Sequence, residues 1–83
     1  DFEYALNLLL QTYQNIIHTA IGRGYKSILL PALGTGPYGF THVDTAQSVM
    51  NLLKTMLQGN DLTVYFVVYE IDSLNLYLHY LNT

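Results

Sequence analysis

The feature that most constrains the fold is a strand that runs into a glycine-rich turn in residues 27–40, SILLPALGTGPYGF. The apolar run at 28–30 predicts a short buried strand. Three glycines and a proline then fall between Gly34 and Gly39, and a helical pattern starts after Thr41. Glycines let the backbone approach a ligand closely, and successive amides beside a helix N-terminus can bind one anion. The order predicts an anion site, although a purely geometric turn has the same composition.

The rest of the chain alternates helical and strand patterns. Apolar residues three and four apart predict helices, and runs of β-branched and aromatic residues predict strands. In chain order the predicted elements are a helix at 2–21, a strand at 25–32, a loop at 33–40, a helix at 42–58, a strand at 62–69 and a helix at 73–82. Thr41 is the predicted N-cap of the second helix, and Asp72 or Ser73 that of the third. The last helix is predicted to turn four residues inward: Leu74, Tyr77, Leu78 and Leu81.

The two strands lack the alternation of apolar and polar residues that marks a half-exposed sheet. Their composition predicts parallel strands buried on both faces, joined by a right-handed crossover through the middle helix. This is an α/β fold with the order α-β-α-β-α. Two parallel strands do not make a stable sheet. We therefore expect further strands, supplied by an N-terminal half of the same domain or by another chain.

Composition excludes several classes of function. The chain has 83 residues, enough for one small domain, and only 11% of them are charged, against about 25% in a typical globular protein. Net charge is −3 with three basic residues, so a nucleic-acid partner is not expected. Cysteines are absent, which excludes disulfides and thiolate metal sites, and no metal or cofactor is predicted. No apolar run approaches the ~20 residues of a membrane span and no signal peptide is visible, so we expect a cytoplasmic protein without a membrane partner.

The predicted ligand site lies beyond the carboxyl ends of the strands, where open parallel sheets bind their ligands. The loops at 33–40 and 69–72 both end at this edge. The glycines suit a phosphate, and the rings of Tyr38 and Tyr69 could stack on a ribose or a base. Tyr69 could equally pack under the last helix. Together the two loops indicate a nucleotide-like ligand.

A dinucleotide-binding Rossmann unit is one way to satisfy this pattern. Residues 34–39, GTGPYG, fit the sequence G-x-G-x-x-G after a strand and before a helix. That unit expects an acid about 20 residues further on, at the end of the next strand. Glu70 ends the next strand but follows Gly39 by 31 residues. Pro37 and Tyr38 also crowd the start of the helix, so a nicotinamide-dependent oxidoreductase is the alternative and not the preferred interpretation.

A second protein family fits the glycine-rich segment better than the Rossmann unit does. Residues 26–40, KSILLPALGTGPYGF, resemble the late strand and second ligand loop of a macro domain, the ADP-ribose-binding module. In that family a Pro-Ala-x-x-Thr-Gly-x-Tyr/Phe-Gly segment wraps a diphosphate with backbone amides. The helix that ends in Gly-Tyr-Lys-Ser and the final strand, Val64–Tyr69, resemble the family too. The resemblance implies that residues 1–83 form the C-terminal part of one macro-like domain with a three-layer α/β/α fold.

The resemblance also implies a set of site residues. By position these are Gly34, Thr35, Gly36, Pro37, Tyr38, Gly39, Phe40 and Tyr69. Tyr38 would lie against the distal ribose and Tyr69 would flank the adenine. Pro37 stands where the family has a residue with a free amide, so one phosphate donor is lost.

The function implied is binding of ADP-ribose, or of an ADP-ribosylated protein, in a domain that is either an ADP-ribosyl hydrolase or deacetylase or only a reader. No catalytic residue is assigned; His42 is the only histidine near the loop, and this segment alone is expected to be inactive. The family's first glycine-rich loop and its adenine-binding acid find no match here. A third interpretation is a non-catalytic fragment whose glycine loop is only a turn.

Overall fold

A computed structural model describes residues 1–83, apart from the side chain of Pro37. Its elements are α1 (Phe2–Gly22), β1 (Ser27–Pro31), a 3-10 turn (Pro37–Gly39), α2 (Val43–Leu57), β2 (Thr63–Val67) and α3 (Ile71–Leu81). The predicted α-β-α-β-α order is confirmed. Both strands are shorter than predicted, because only five residues of each face a partner in the ladder.

The two strands are parallel, as predicted. Ser27 pairs with Thr63 at one end of the ladder and Pro31 with Val67 at the other. One more backbone hydrogen bond extends the pairing at each end: Ala32 donates to the carbonyl of Val67 at 2.8 Å, and Thr63 donates to that of Lys26 at 3.0 Å. The carboxyl ends of both strands therefore meet at one edge, where the loops at 33–40 and 68–70 begin.

The helices cover one face of this sheet. Phe66 of β2 lies between Tyr13 of α1 and Tyr77 of α3, with ring centroids 6.1 and 4.8 Å away. The core beneath the helices is continuous and comprises Tyr13, Ile17, Ala20, Leu30, Ala32, Ala46, Val49, Met50, Leu53, Leu62 and Tyr77. On the opposite face the register partners Leu29 and Tyr65 are 72% and 59% exposed. The prediction that both strands are buried on both faces is therefore wrong for the described residues, since side chains alternate along a strand and the helices contact one set only. The α/β class is confirmed, while a third layer on the open face stays a prediction.

The helix caps differ from those predicted from the sequence. His42, and not Thr41, caps α2, with its Nδ1 accepting from the Asp44 amide at 3.1 Å. Glu70, and not Asp72 or Ser73, caps α3. A capping side chain must reach the second or third amide of its helix. The hydroxyl of Thr41 is instead buried beside that of Tyr77 and does not reach the amides of α2, so the helix begins one residue later than a Thr41 cap required.

The inward face of α3 is narrower than predicted. Tyr77 is buried, but Leu78 and Leu81 are about half exposed. Both line an apolar groove beside β2 that also contains Phe66.

Among the described residues, none of the helices is both long and apolar enough to cross a bilayer.

Candidate functional site

The loop after β1 borders a cleft of about 440 Å³. The residues that line this cleft are Phe2, Gly34, Thr35, Gly36, Phe40, Thr41 and His42. Four of the residues predicted from the sequence are among them, which are Gly34, Thr35, Gly36 and Phe40. The loop follows the carboxyl end of β1, so the cleft lies at the edge of the sheet where the sequence predicted it.

A buried tyrosine fixes the start of the loop. The hydroxyl of Tyr13 donates to the carbonyl of Pro31 at 2.9 Å and accepts from the amide of Leu33 at 2.6 Å. Tyr13 is 0% exposed, and this burial raises the pKa of its phenol to about 12. The phenol is therefore protonated at neutral pH and serves as donor and acceptor at once. It clamps the backbone on both sides of Ala32.

A buried serine fixes the end of the loop. The hydroxyl of Ser73, in the first turn of α3, accepts from the amide of Thr41 at 2.8 Å and donates to the carbonyl of Gly39 at 3.4 Å. The carboxylate of Glu70 in turn accepts from the amides of Asp72 at 2.9 Å and Ser73 at 2.8 Å. The pKa of Glu70 is lowered, chiefly by the bond from Asp72. The loop after β2 thus positions the loop after β1.

Two hydrogen bonds close the loop on itself. The amide of Gly36 donates to the carbonyl of Phe40 at 2.8 Å, and the amide of Gly39 donates to the carbonyl of Gly36 at 3.2 Å. The amides of Gly34 and Thr35, by contrast, donate to no acceptor within the described part of the chain. In this conformation these two amides, unlike that of Gly36, are available to an anion in the cleft.

The loop glycines are required for different reasons. Gly34 has φ +70, and a Cβ there would stand 2.8 Å from Cδ2 of Leu9. Gly39 has φ +81, a region that favours glycine. Gly36 has no positive φ, and the nearest atom to a Cβ would be the Phe40 carbonyl oxygen at an ordinary 3.7 Å. The fold therefore explains glycine at positions 34 and 39 but not at position 36.

The two tyrosines that were predicted to contact the ligand do not pack in the protein core. Tyr38 adopts the left-handed conformation (φ 62, ψ 17) and is 92% exposed. Tyr69 follows β2 at the same sheet edge and is also exposed, so it does not pack under α3. A bulky residue in the left-handed region is strained by about 1 kcal/mol or more. The exposed ring of Tyr38 makes no core packing that would offset this strain. The loss of a donor at Pro37 stays a prediction, and the side chain of Pro37 lies outside the described residues.

Sequence reasoning missed two residues of the cleft wall. The ring of Phe2 lies against that of His42, with centroids 4.4 Å apart. Phe2 belongs to the apolar stripe of the first helix, but no pattern within either helix predicts that its ring meets that of His42. Thr41 was considered only as a cap. Its hydroxyl and that of Tyr77 are buried neighbours, and neither has a hydrogen-bond partner of good geometry among the described residues.

Among the described residues no cluster of three or more histidine, aspartate or glutamate side chains is placed to hold an ion. Burial raises the pKa of the Tyr77 phenol, an effect that the neighbouring Thr41 hydroxyl opposes. The chemistry on offer is therefore hydrogen bonding from backbone amides and a histidine, combined with exposed aromatic rings.

Comparison with known proteins defines the class to which this fold and loop belong. The sequence profile of the Macro domain matches residues 3–49, which include α1, β1, the glycine loop and the first half of α2. This match covers more than half of the chain. The chain belongs to the macro domain family.

Curated relatives extend the similarity beyond the loop. The chain is 32% identical over 72 residues to an O-acetyl-ADP-ribose deacetylase of Citrobacter rodentium, which covers 84% of this chain and 41% of that protein. It is 35% identical over 72 residues to the protein of the same name from Escherichia fergusonii, with the same coverage. A macro domain-containing protein of Methanosarcina mazei is 37% identical over 68 residues, or 80% of this chain and 36% of that protein. The chain thus spans about two fifths of the length of these relatives.

Proposed function

We propose that this chain supplies the diphosphate-binding loop of a domain that binds ADP-ribose or a derivative of it. The observation that carries the proposal is a glycine that the fold does not need. Gly36 lines the cleft without a positive φ, and a Cβ there would make only an ordinary contact with the Phe40 carbonyl oxygen. A glycine is otherwise costly, because it increases the entropy that folding must overcome. Close approach of a ligand to the backbone explains why position 36 has no side chain.

The loop is also held rigidly enough to act as a preformed site. Tyr13 fixes its entrance and Ser73 its exit, both from buried positions. A binding loop that is ordered before the ligand arrives loses less conformational entropy on binding. The cleft volume falls in the range of ordinary small-molecule sites.

The ligand's chemistry follows from the donors around the cleft. The amides of Gly34 and Thr35 suit phosphate oxygens, and they lie near the N-terminus of α2, whose dipole favours negative charge. In the proposed complex the loop at 34–40 follows the diphosphate. Tyr38 lies against the distal ribose and Tyr69 flanks the adenine. These two exposed rings gain contacts that the protein itself does not give them.

Hydrolysis is proposed only for a domain completed by residues outside 1–83. Several relatives are named as O-acetyl-ADP-ribose deacetylases, and the chain covers about two fifths of their length. We assign no nucleophile or general base in the cleft, where His42 is the only titratable side chain among the described residues that line it. The relatives named above are O-acetyl-ADP-ribose deacetylases and a macro domain-containing protein, so membership of the macro domain family supports ADP-ribose over a redox dinucleotide as ligand.

The test is calorimetric titration of the full-length protein with ADP-ribose, NAD and ATP. We expect ADP-ribose to bind most tightly. Gly36→Ala should weaken that binding by at least tenfold, because its methyl group occupies the space of the phosphate, while the free energy of unfolding stays equal or rises slightly.

The matched control is Gly59→Ala. Gly59 has φ +72 and open space at its Cβ, and it lies at the opposite end of α2. This variant should lose stability and keep wild-type affinity. Tightest binding of NAD, or undiminished affinity in Gly36→Ala, would contradict the proposal.

A further inference from the structure

His42 has a role in the fold that uses only one of its two ring nitrogens. Its Nδ1 accepts a hydrogen bond from the amide of Asp44, so Nδ1 carries no proton. The neutral ring must then carry its proton on Nε2. Nε2 has no partner among the residues that the structure describes. The cap therefore leaves one oriented N–H donor unused.

The residue that carries this donor belongs to the cleft wall. His42 lines the cleft together with Gly34, Thr35 and Gly36, and its ring rests against Phe2 with an interplanar angle of 44°. The hydrogen bond on one side and the aromatic contact on the other restrict the rotation of the imidazole. A donor that is already oriented contributes more to binding than one that must be ordered.

The loop itself is short of donors for a diphosphate. Pro37 has no amide hydrogen. The amides of Gly36 and Gly39 are bonded within the loop, and that of Leu33 is bonded to Tyr13. A side-chain donor among the residues that line the same cleft would make up part of this deficit.

We propose that His42 is a ligand-binding residue whose Nε2–H donates to a phosphate oxygen of the bound diphosphate. The inference rests on the proposed function, since it presupposes a diphosphate in the cleft. Capping alone does not explain this residue. Serine, threonine, aspartate and asparagine are the preferred N-caps and have smaller side chains, whereas histidine adds a ring and a second nitrogen.

Two substitutions test the roles of the two ring nitrogens of His42 separately. His42→Asn retains an acceptor near the position of Nδ1 and lacks a group at Nε2. His42→Gln carries its amide nitrogen near the position of Nε2 and loses the short cap. We expect His42→Asn to bind ADP-ribose about tenfold more weakly, as for one lost hydrogen bond to a charged acceptor, with an unchanged urea midpoint. His42→Gln should recover most of that affinity while its urea midpoint falls.

The experiment is calorimetric titration of the full-length protein and both variants with ADP-ribose and with ADP. ADP retains the diphosphate and lacks the distal ribose, so the loss in His42→Asn should be equal for both ligands. A loss confined to ADP-ribose would place the contact at the distal ribose and overturn the phosphate assignment. Wild-type affinity in His42→Asn would show that His42 is only a cap. Failure of the wild-type protein to bind either ligand would instead contradict the proposed function.

Discussion

Replacing Tyr13 with phenylalanine tests how the glycine loop is held. The substitution removes one oxygen and leaves the ring in place, so it opens almost no cavity. It breaks both hydrogen bonds at the loop entrance, to the carbonyl of Pro31 and from the amide of Leu33. Tyr13 is 0% exposed, so water does not replace its hydroxyl without rearrangement.

The expected loss of stability follows from these two bonds. Each hydrogen bond contributes about 1 kcal/mol net, and a buried group left unpaired costs about 1–3 kcal/mol. We therefore expect Tyr13→Phe to lower the free energy of unfolding by about 2 kcal/mol. The affinity for ADP-ribose should fall as well, because the loop is then free to move before the ligand arrives.

Urea denaturation of the full-length protein measures the loss in the free energy of unfolding. The slope of that free energy against urea concentration should not change. Tyr4→Phe is the matched control. Tyr4 is on the same helix and 65% exposed, so its loss of a hydroxyl should have an effect near zero. If Tyr13→Phe is as stable as the wild-type protein and binds ADP-ribose equally well, the tyrosine does not hold the loop.

Three further predictions follow from the contacts of α3 and from the open sheet face. Ser73→Ala should lower the free energy of unfolding by about 1–2 kcal/mol, because the amide of Thr41 loses its partner; urea denaturation would contradict this by showing no change. The lowered pKa of Glu70 means that its contribution is present above pH 4.5 and lost as the pH falls through the lower folded-state pKa, so Glu70→Gln should flatten the acid limb of a stability–pH profile. Residues 1–83 alone should associate through the face that exposes Leu29 and Tyr65, and sedimentation should show species above 9.4 kDa. A sharp monomer with cooperative unfolding would mean that the chain needs neither an N-terminal half nor another chain.

The element order and the parallel pairing could be predicted from the sequence because periodicity encodes them directly. The helices carry apolar residues three and four apart, and the strands are short apolar runs separated by one helix. The exposure of Leu29 and Tyr65 could not be predicted in the same way. Whether the second face of a sheet is covered depends on other elements, and the local sequence of a strand does not specify them.

The candidate site, like the fold, could be predicted from the sequence only in part. The loop and its position at the sheet edge follow from the glycines and from the strand before them. The use of the Gly36 amide within the loop could not be predicted, because it depends on how the chain returns at Phe40. The contact of Phe2 with His42 joins residues 40 positions apart and depends on how α1 packs on α2. The histidine cap was missed since side chains with oxygen acceptors dominate at that position.

Amide chemical shifts report directly on whether the glycine loop binds the ligand's diphosphate. In a titration of the ¹⁵N-labelled full-length protein with ADP-ribose, we expect the amides of Gly34 and Thr35 to shift most, since they have no acceptor in the described structure. The amide of Gly59, at the far end of α2, should stay in place. Saturable binding that leaves the amides of Gly34 and Thr35 unshifted while other amides shift would show that the glycine loop does not bind the diphosphate.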